Sequence, residues 1–402
     1  AAAVHHMAQV GSRSPPTRLD FSRDADAEEG GVVVGFTIQE QVGIVAALLE
    51  EIGLVADFAP LVVLVGHGSQ SMNNPHSSAY DCGACGGAHG GPNARAFAAM
   101  ANRNDVRVGL VGRGIHVPAS TVFLGAKHNT GNDALTWFDV EDVPEAARAA
   151  LHRLQRSAGL ACERNAHERC RRFAQAPHQG AARALRHVEG RSVDLAQPRS
   201  ECGHATNAVC VVGPRRATRG LFLDRRAFLV SYEPANDADG RILERLLSSV
   251  APVGAGINLE YWFSFVDPAT YGCGTKLPHN INGLLGVMDG HQSDLRTGLP
   301  WQMVEIHEPV RLLTVVYAEP EALLAIAGRV PAVGRLVGNG WIQLVAISPR
   351  DGSAHVFQGG AFVAYEPETT RLTQVESSRA HYDGHLGHLG PAHIGAMSEV
   401  AA

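Results

Sequence analysis

Residues 61–87 read LVVLVGHGSQSMNNPHSSAYDCGACGG. The run Leu61 to Val65 is short, mostly β-branched and free of polar alternation, the pattern of a strand covered on both faces. In open α/β sheets, ligands gather just beyond the carboxyl ends of such strands. His67 stands at that place. The loop that follows holds His76, Asp81, Cys82 and Cys85, with glycines at 83, 86 and 87 that let the backbone fold closely around a bound ion. So many soft ligands in a stretch with so little to pack suggest that a metal stands in for a missing core.

Outward from this stretch the chain reads as an α/β protein. Thr37 and Glu40 fit a capping box, and Ile38, Val42, Val45, Leu49 and Ile52 follow at helical spacing before Gly53. Pro92 suits the first turn of a helix that continues through Arg95, Phe97 and Met100. Val106–Val111 and Thr121–Leu124 read as further strands. From Pro144 to about Ala184 the composition shifts to Ala, Arg and Glu, with Ala147, Leu151 and Leu154 at helical spacing. A second set of strands is expected at Ala208–Val212, Ala227–Val230 and Trp341–Ala346, with a helix at Gly240–Val250. Tyr271–Glu308 is a motif-dense loop region, and beyond Arg350 the chain becomes rich in Gly and His. The expected organisation is a disordered linker over 1–30, an α/β unit with the His/Cys loop over 31–143, a helical connector over 144–204, a second α/β unit over 205–350 and a loosely ordered tail over 351–402.

Composition narrows the function classes. With 402 residues, 45% of them hydrophobic, the chain can bury real cores. A formal charge of −6 and 6% aromatic residues give neither a phosphate-tracking nor a base-stacking surface, so nucleic acid is not an expected partner. Seven cysteines, only Cys82 and Cys85 close-paired, do not make a disulfide scaffold at this length; a reducing compartment with metal or redox use fits them better. No apolar run approaches the roughly 20 residues that cross a bilayer. The first thirty residues, with Ser-Arg-Ser-Pro-Pro at 12–16 and an acidic run from Asp24 to Glu29, lack the layout of a signal peptide.

Zinc takes thiolate, imidazole and carboxylate ligands, usually four in a tetrahedron. Zinc also brings bound water to a pKa near 7, which suits attack on an electrophile such as carbon dioxide. His67 and the cysteines would supply ligands from two backbone segments. From spacing alone, Cys82-x-x-Cys85 also fits a redox pair or a structural zinc knuckle, while His76 and His89 read as loop histidines. A stand-alone zinc hydrolase or hydratase and a structural or redox module therefore stay open beside the reading that follows.

The strings Gly66-His67-Gly68-Ser69, Asn73-Asn74-Pro75, Ser78 to Gly87 and Gly90 to Arg95 closely resemble the DabA family. So do His128-Asn129-Thr130 with Asp133, Gly213-Pro214-Arg215, Gly272 to Asn280, Gly290 to Gln302, His307-Glu308-Pro309 and Asn339 to Ile342. That family is the zinc-binding subunit of an energy-coupled inorganic-carbon transporter. The resemblance covers about residues 31–350. It implies a site like that of β-type carbonic anhydrases, with zinc held by a cysteine, an aspartate, a histidine and a second cysteine. The histidine maps onto His67 and the second cysteine onto Cys82, leaving Cys85 a neighbour; Asp81 and Arg95 are candidates for orienting ligands or handling protons. The first two ligands belong to an upstream Cys-x-Asp motif, and none of the seven cysteines here has aspartate two places later. The resemblance thus makes this chain the counterpart of the family's carboxyl-terminal half. Its expected partners are the amino-terminal half and a membrane-embedded, antiporter-like subunit of the DabB type. Together they would hydrate CO2 to bicarbonate vectorially, with this chain peripheral at the cytoplasmic face of the cell membrane. Lys276, His279, Asp294, Arg296 and His307 form a second motif cluster, read as partner contact or loop structure.

Overall fold

The computed structural model describes residues 17, 19–24, 33–70, 81, 87–173, 176, 180–194, 207–272, 287–288, 295–296, 310–366 and 371–395. The chain forms two compact units, residues 1–167 with 179–201, and 168–178 with 202–402.

In the first unit, α1 (Ile38–Glu51) begins at a complete capping box: the Thr37 hydroxyl accepts from Glu40 N, and the Glu40 carboxylate accepts from Thr37 N at 2.7 Å. Next come β1 (Leu61–Gly68), α2 (Gly91–Ala101) with Pro92 in its first turn, α3 (Asn104–Val111), β2 (Val122–Asn129), β3 (Ala134–Trp137), α4 (Glu145–Cys170) and α5 (Ala181–Ser192). The sheet order is β1-β2-β3, with β1 and β2 parallel and β3 antiparallel to β2. A parallel pair needs a long crossover, and residues 69–121 supply it. Alternation then divides the two cores. Val62, Leu64 and Phe123 pack toward α1, α2 and α3 with Val45, Leu49, Phe97, Val106 and Leu110. Leu61, Val63, Val122 and Leu124 face the other way, onto Val143, Ala147 and Leu151. Both faces of the sheet are thus covered, though β1 is an edge strand among the described residues and Val65 is 49% exposed.

Two expectations change here. Residues 104–111 form a helix rather than a strand: Val106 and Leu110 are buried at i, i+4, whereas Val108 and Val111 face solvent. The period of burial outweighed the β-branched content. Part of the expected linker is also fixed. Phe36 N donates to Phe21 O at 2.6 Å, Arg103 Nη1 to Ser22 Oγ at 2.5 Å, and Arg23 pairs with Glu40 at 2.8 Å.

The second unit holds β4 (Val209–Gly213), β5 (Leu221–Phe222), β6 (Ala227–Ser231), α6 (Arg241–Val266), α7 (Pro268–Tyr271), the short pair β7 (Val287–Met288) and β8 (Leu295–Arg296), β9 (Leu313–Val316), α8 (Pro320–Arg329), α9 (Pro331–Gly338), β10 (Gln343–Ile347), β11 (Ala354–Gln358), β12 (Ala361–Tyr365), β13 (Thr373–Val375), α10 (Ser378–Tyr382) and β14 (Ala392–Ile394). A six-stranded sheet runs β12-β11-β10-β9-β4-β6. Its four strands β10, β9, β4 and β6 are parallel, and the β11–β12 hairpin extends it antiparallel. Val212, Val316, Leu344 and Ala346 pack with Leu243, Leu247 and Ala255 of α6, Leu323 and Ile326 of α8, and Val333 and Val337 of α9. α6 runs through Pro252 for 26 residues, well beyond the expected stop at Val250. Burial of Leu243, Leu247, Ala251, Ala255 and Tyr261 along one face, with Asn258 bonding Asn207 O, Val310 O and Leu312 N, offsets the backbone bond that proline removes.

The loose tail expected after residue 351 is corrected over 354–365 and 371–395. β11 and β12 pair over five residues through the turn Gly359–Gly360, both with positive φ. The small sheet β13-β14-β5 follows, held to Asp224: its carboxylate accepts from Leu389 N at 2.9 Å and pairs with the buried Arg171 guanidinium. Apart from the backbone of 287–288 and 295–296, the second motif cluster, Lys276, His279, Asp294 and His307 included, lies outside the described residues. Among the described residues no helix is long and apolar enough to cross a membrane.

Candidate metal centre at the strand ends of the first sheet

β1 and β2 continue past their hydrophobic rows into polar residues. His67 and His128 are direct register partners, each the seventh residue of its eight-residue strand. Alternation puts both on the face that carries Leu61, Val63, Val122 and Leu124, toward α4. Gly66 and Gly68 face the opposite way, and there the backbone comes close. A Cβ on Gly66 would lie 2.3 Å from the carbonyl carbon of Gly90, so only glycine admits the turn that leads into α2. Gly90 N donates to His67 O at 2.6 Å, which ties that turn to the strand end.

Asp81 docks on this strand end through the main chain: its Oδ1 accepts from Ser69 N at 2.7 Å. It lies on the Gly68 side, where a Cβ would meet His89 at 3.1 Å, Lys127 at 3.4 Å and Asp81 at 3.5 Å. Burial holds the His89 imidazole below its ordinary pKa, the Lys127 charge adds to this, and Asp81 opposes it. The β2 loop closes the other side. Thr130 N donates to Gly68 O at 2.8 Å, and the Asn129 side-chain oxygen accepts from Gln70 N at 2.9 Å and Gly131 N at 3.1 Å.

Of the residues expected at the site, His67 and Asp81 are thus held on one strand end, the first by register and the second by Ser69. Arg95 is placed elsewhere. Its guanidinium grips Asp139 through Nε at 2.6 Å and Nη2 at 2.5 Å, and Nη1 reaches Thr17 Oγ1 at 2.7 Å. The Asp139 hydrogen bond, and then its charge, raise the Arg95 pKa against burial. Cys82 and Cys85 lie outside the described residues, and among the described residues no group of three or more His, Cys, Asp or Glu could hold a metal ion. The donors that fit zinc are the imidazole of His67 and, in the sequence, the thiol one residue after Asp81. His128 was named in the sequence only as part of a motif. The signal that could have found it is the matched offset, LVVLVGHG against VFLGAKHN, which puts two histidines at equivalent strand ends.

A family model described as "Probable inorganic carbon transporter subunit DabA" matches residues 1–342. Among relatives, the probable inorganic carbon transporter subunit DabA 1 of Sorangium cellulosum is 56% identical over 384 residues, covering 95% of this chain and 38% of that protein. The Methylococcus capsulatus DabA is 53% identical over 384 residues, with 94% of this chain and 36% of the relative covered. The one from Azotobacter vinelandii is 43% identical over 374 residues, with 92% and 44% covered. The chain therefore spans less than half the length of these curated relatives. No solved structure matches it. With the family model covering most of the chain and the relatives aligned across almost all of it, this protein belongs to the DabA family of inorganic carbon transporter subunits.

Proposed function

We propose that this chain contributes His67 and Cys82 to a zinc centre that hydrates carbon dioxide to bicarbonate. The centre works with a membrane-embedded, antiporter-like partner, the chain lying peripherally at the cytoplasmic face. The observation that carries the reading is the strand end itself. His67 is the penultimate residue of a parallel strand, at its carboxyl end, and Asp81, the residue before Cys82 in the chain, is anchored 2.7 Å from the main chain two residues past His67. Zinc, when bound, makes a nucleophile of water at neutral pH. The residues of this chain do the positioning. His67 offers an imidazole nitrogen from a strand, the Asp81–Ser69 bond holds the residue before Cys82 at that strand, and Gly66 and Gly68 leave room for the Gly90 turn and for Asp81. The remaining ligands are a Cys-x-Asp pair, which none of the seven cysteines here provides.

The test replaces the matching span of the Sorangium cellulosum relative with this chain. The chimera is then expressed with a membrane partner of the family in a host that lacks carbonic anhydrase. His67→Ala and Cys82→Ser should each abolish growth in air and cut the zinc content of the purified chimera at least tenfold, while Cys85→Ser retains both. Equal damage from Cys82→Ser and Cys85→Ser would instead mark a redox or structural pair. Hydratase activity of the purified chain without any partner would favour a free-standing enzyme.

A further inference from the structure

The string His128-Asn129-Thr130 with Asp133 has no task in the reading above, yet the structure brings part of it to the same strand end. As register partners on parallel strands, His67 and His128 have Cα atoms about 4.8 Å apart and side chains on one face. Asp133 lies in the turn between β2 and β3 with φ 63°, and is 2% exposed. Non-glycine residues seldom hold that conformation, and aspartate and asparagine are the side chains that tolerate it best. Its Oδ1 accepts from Asn165 Nδ2 of α4 at 2.8 Å and meets His128 Nε2 at 3.2 Å, while its main-chain oxygen accepts from Cys162 Sγ of α4 at 3.1 Å. The carboxylate is therefore fixed by a helix before it meets the imidazole. Beyond it opens a cavity of about 300 Å3 lined by Asn132, Asp133, Trp137, Cys162, Glu163 and Glu189.

We infer that His128 is a second imidazole of the His67 site, with Asp133 as its positioning residue, accepting at Nδ1 a hydrogen bond from the O–H of the substrate water or of product bicarbonate. A carboxylate only accepts, so the ring nitrogen facing Asp133 carries the proton. The other nitrogen, Nδ1, then carries the lone pair. Carboxylates set the tautomer and angle of metal-ligating imidazoles in the same way, and removal of such a partner typically costs about 10- to 100-fold in metal affinity or activity. The inference rests on the assignment of His67 as a ligand, and its test separates the two.

The first measurement needs no metal. In the full chain labelled with 15N-histidine, the His128 signal is assigned by its loss in His128→Phe. It should show the Nε2–H tautomer in the wild type. Asp133→Gly, which fits the positive φ better than aspartate but removes the carboxylate, should give mixed tautomers. Asp133→Asn, which keeps both the conformation and a carbonyl acceptor, should restore Nε2–H. A merely structural turn residue would be replaced equally well by Gly and Asn. A wild-type Nδ1–H tautomer, or one indifferent to Asp133→Gly, overturns the inference.

The second measurement is inorganic-carbon uptake in the chimera. His128→Phe and Asp133→Gly should each lower it at least tenfold, with Asp133→Asn within about threefold of wild type, all at unchanged melting temperature. Should Asp133→Gly fold poorly, His128→Phe and Asp133→Asn decide. Wild-type uptake in His128→Phe together with its loss in His67→Ala sinks the inference and leaves the zinc reading standing. Wild-type uptake in His67→Ala sinks both.

Discussion

The sheet of the first unit and the six-stranded sheet of the second are built alike through their hydrophobic rows and differ at their carboxyl ends. β1 and β2 run on for several residues past their apolar rows, and the extra length presents two histidines and a glycine-lined backbone that side chains and loops approach. β4 stops at Gly213, where the Tyr317 ring fills the place a Cβ would take, 2.3 Å away at its nearest atom. Neighbouring loops there are closed by pairs that satisfy one another. Arg216 meets Glu233, and the Asp237 carboxylate accepts from Tyr232 Oη at 3.0 Å and from Ile242 N and Leu243 N at the start of α6. Strand length beyond the core, rather than strand number or core size, separates the end that presents two histidines from the end that, among the described residues, is closed by paired side chains.

The largest effect expected from breaking this comparison lies in the sealed unit. Leu243 is 1% exposed at the centre of the second core. Leu243→Ala should cost about 3 kcal/mol in denaturant melts, with amide exchange quickened in β4, β9 and α6 and unchanged in β1 and β2. Gly66→Ala addresses the open strand end. Its methyl group would collide with the Gly90 main chain, so about 2 kcal/mol should be lost, with exchange quickened at Gly90 and the start of α2.

Acidification should touch the second unit through His388. Burial, reinforced by the charges of Arg172, Arg226 and Arg171, pushes this imidazole down to about 4. Between about pH 6.5 and pH 4 the unfolded chain takes up a proton that the folded chain refuses, so stability is complete above that window and falls as pH drops through it. The denaturation midpoint should therefore decline from about pH 6.5 toward pH 4, and His388→Gln should flatten the decline. The smallest effect is a gain. Gly43 lies within α1 with open space where a Cβ would stand, and Gly43→Ala should stabilise the first unit by about 1 kcal/mol. A loss there would mean that α1 packs differently.

Much of the fold was legible because burial leaves a periodic trace. The runs at 61–65, 121–124, 208–212, 227–230 and 341–346 all became strands, and the Thr37–Glu40 box marked the start of α1 to the residue. Where local composition and tertiary packing disagree, packing prevailed. The three valines of α3 were helical because only Val106, with Leu110, had a core to meet, and Pro252 stayed inside α6 because its neighbours were buried. The β11–β12 hairpin carried a readable sign in Gly359-Gly360 between two apolar runs, a two-residue turn that demands positive φ. At the candidate site, the placement of His67 at a strand's carboxyl end could be read from the apolar run before it. The Asp133–His128 contact could not, because it depends on Asn165, 32 residues away on a helix whose packing no local pattern encodes.

Among the described residues, β12 ends the six-stranded sheet with Ala-Phe-Val-Ala-Tyr, carrying neither charge nor proline, and leaves Val363 and Tyr365 about half bare. One side of its backbone offers amides and carbonyls to whatever extended chain comes near, and neutral, flat edges of this kind are where intermolecular pairing and aggregation begin. Concentrated preparations of the isolated chain should accordingly associate through this strand. A lysine in place of Val363 would be the simplest guard against it, at no cost to the interior.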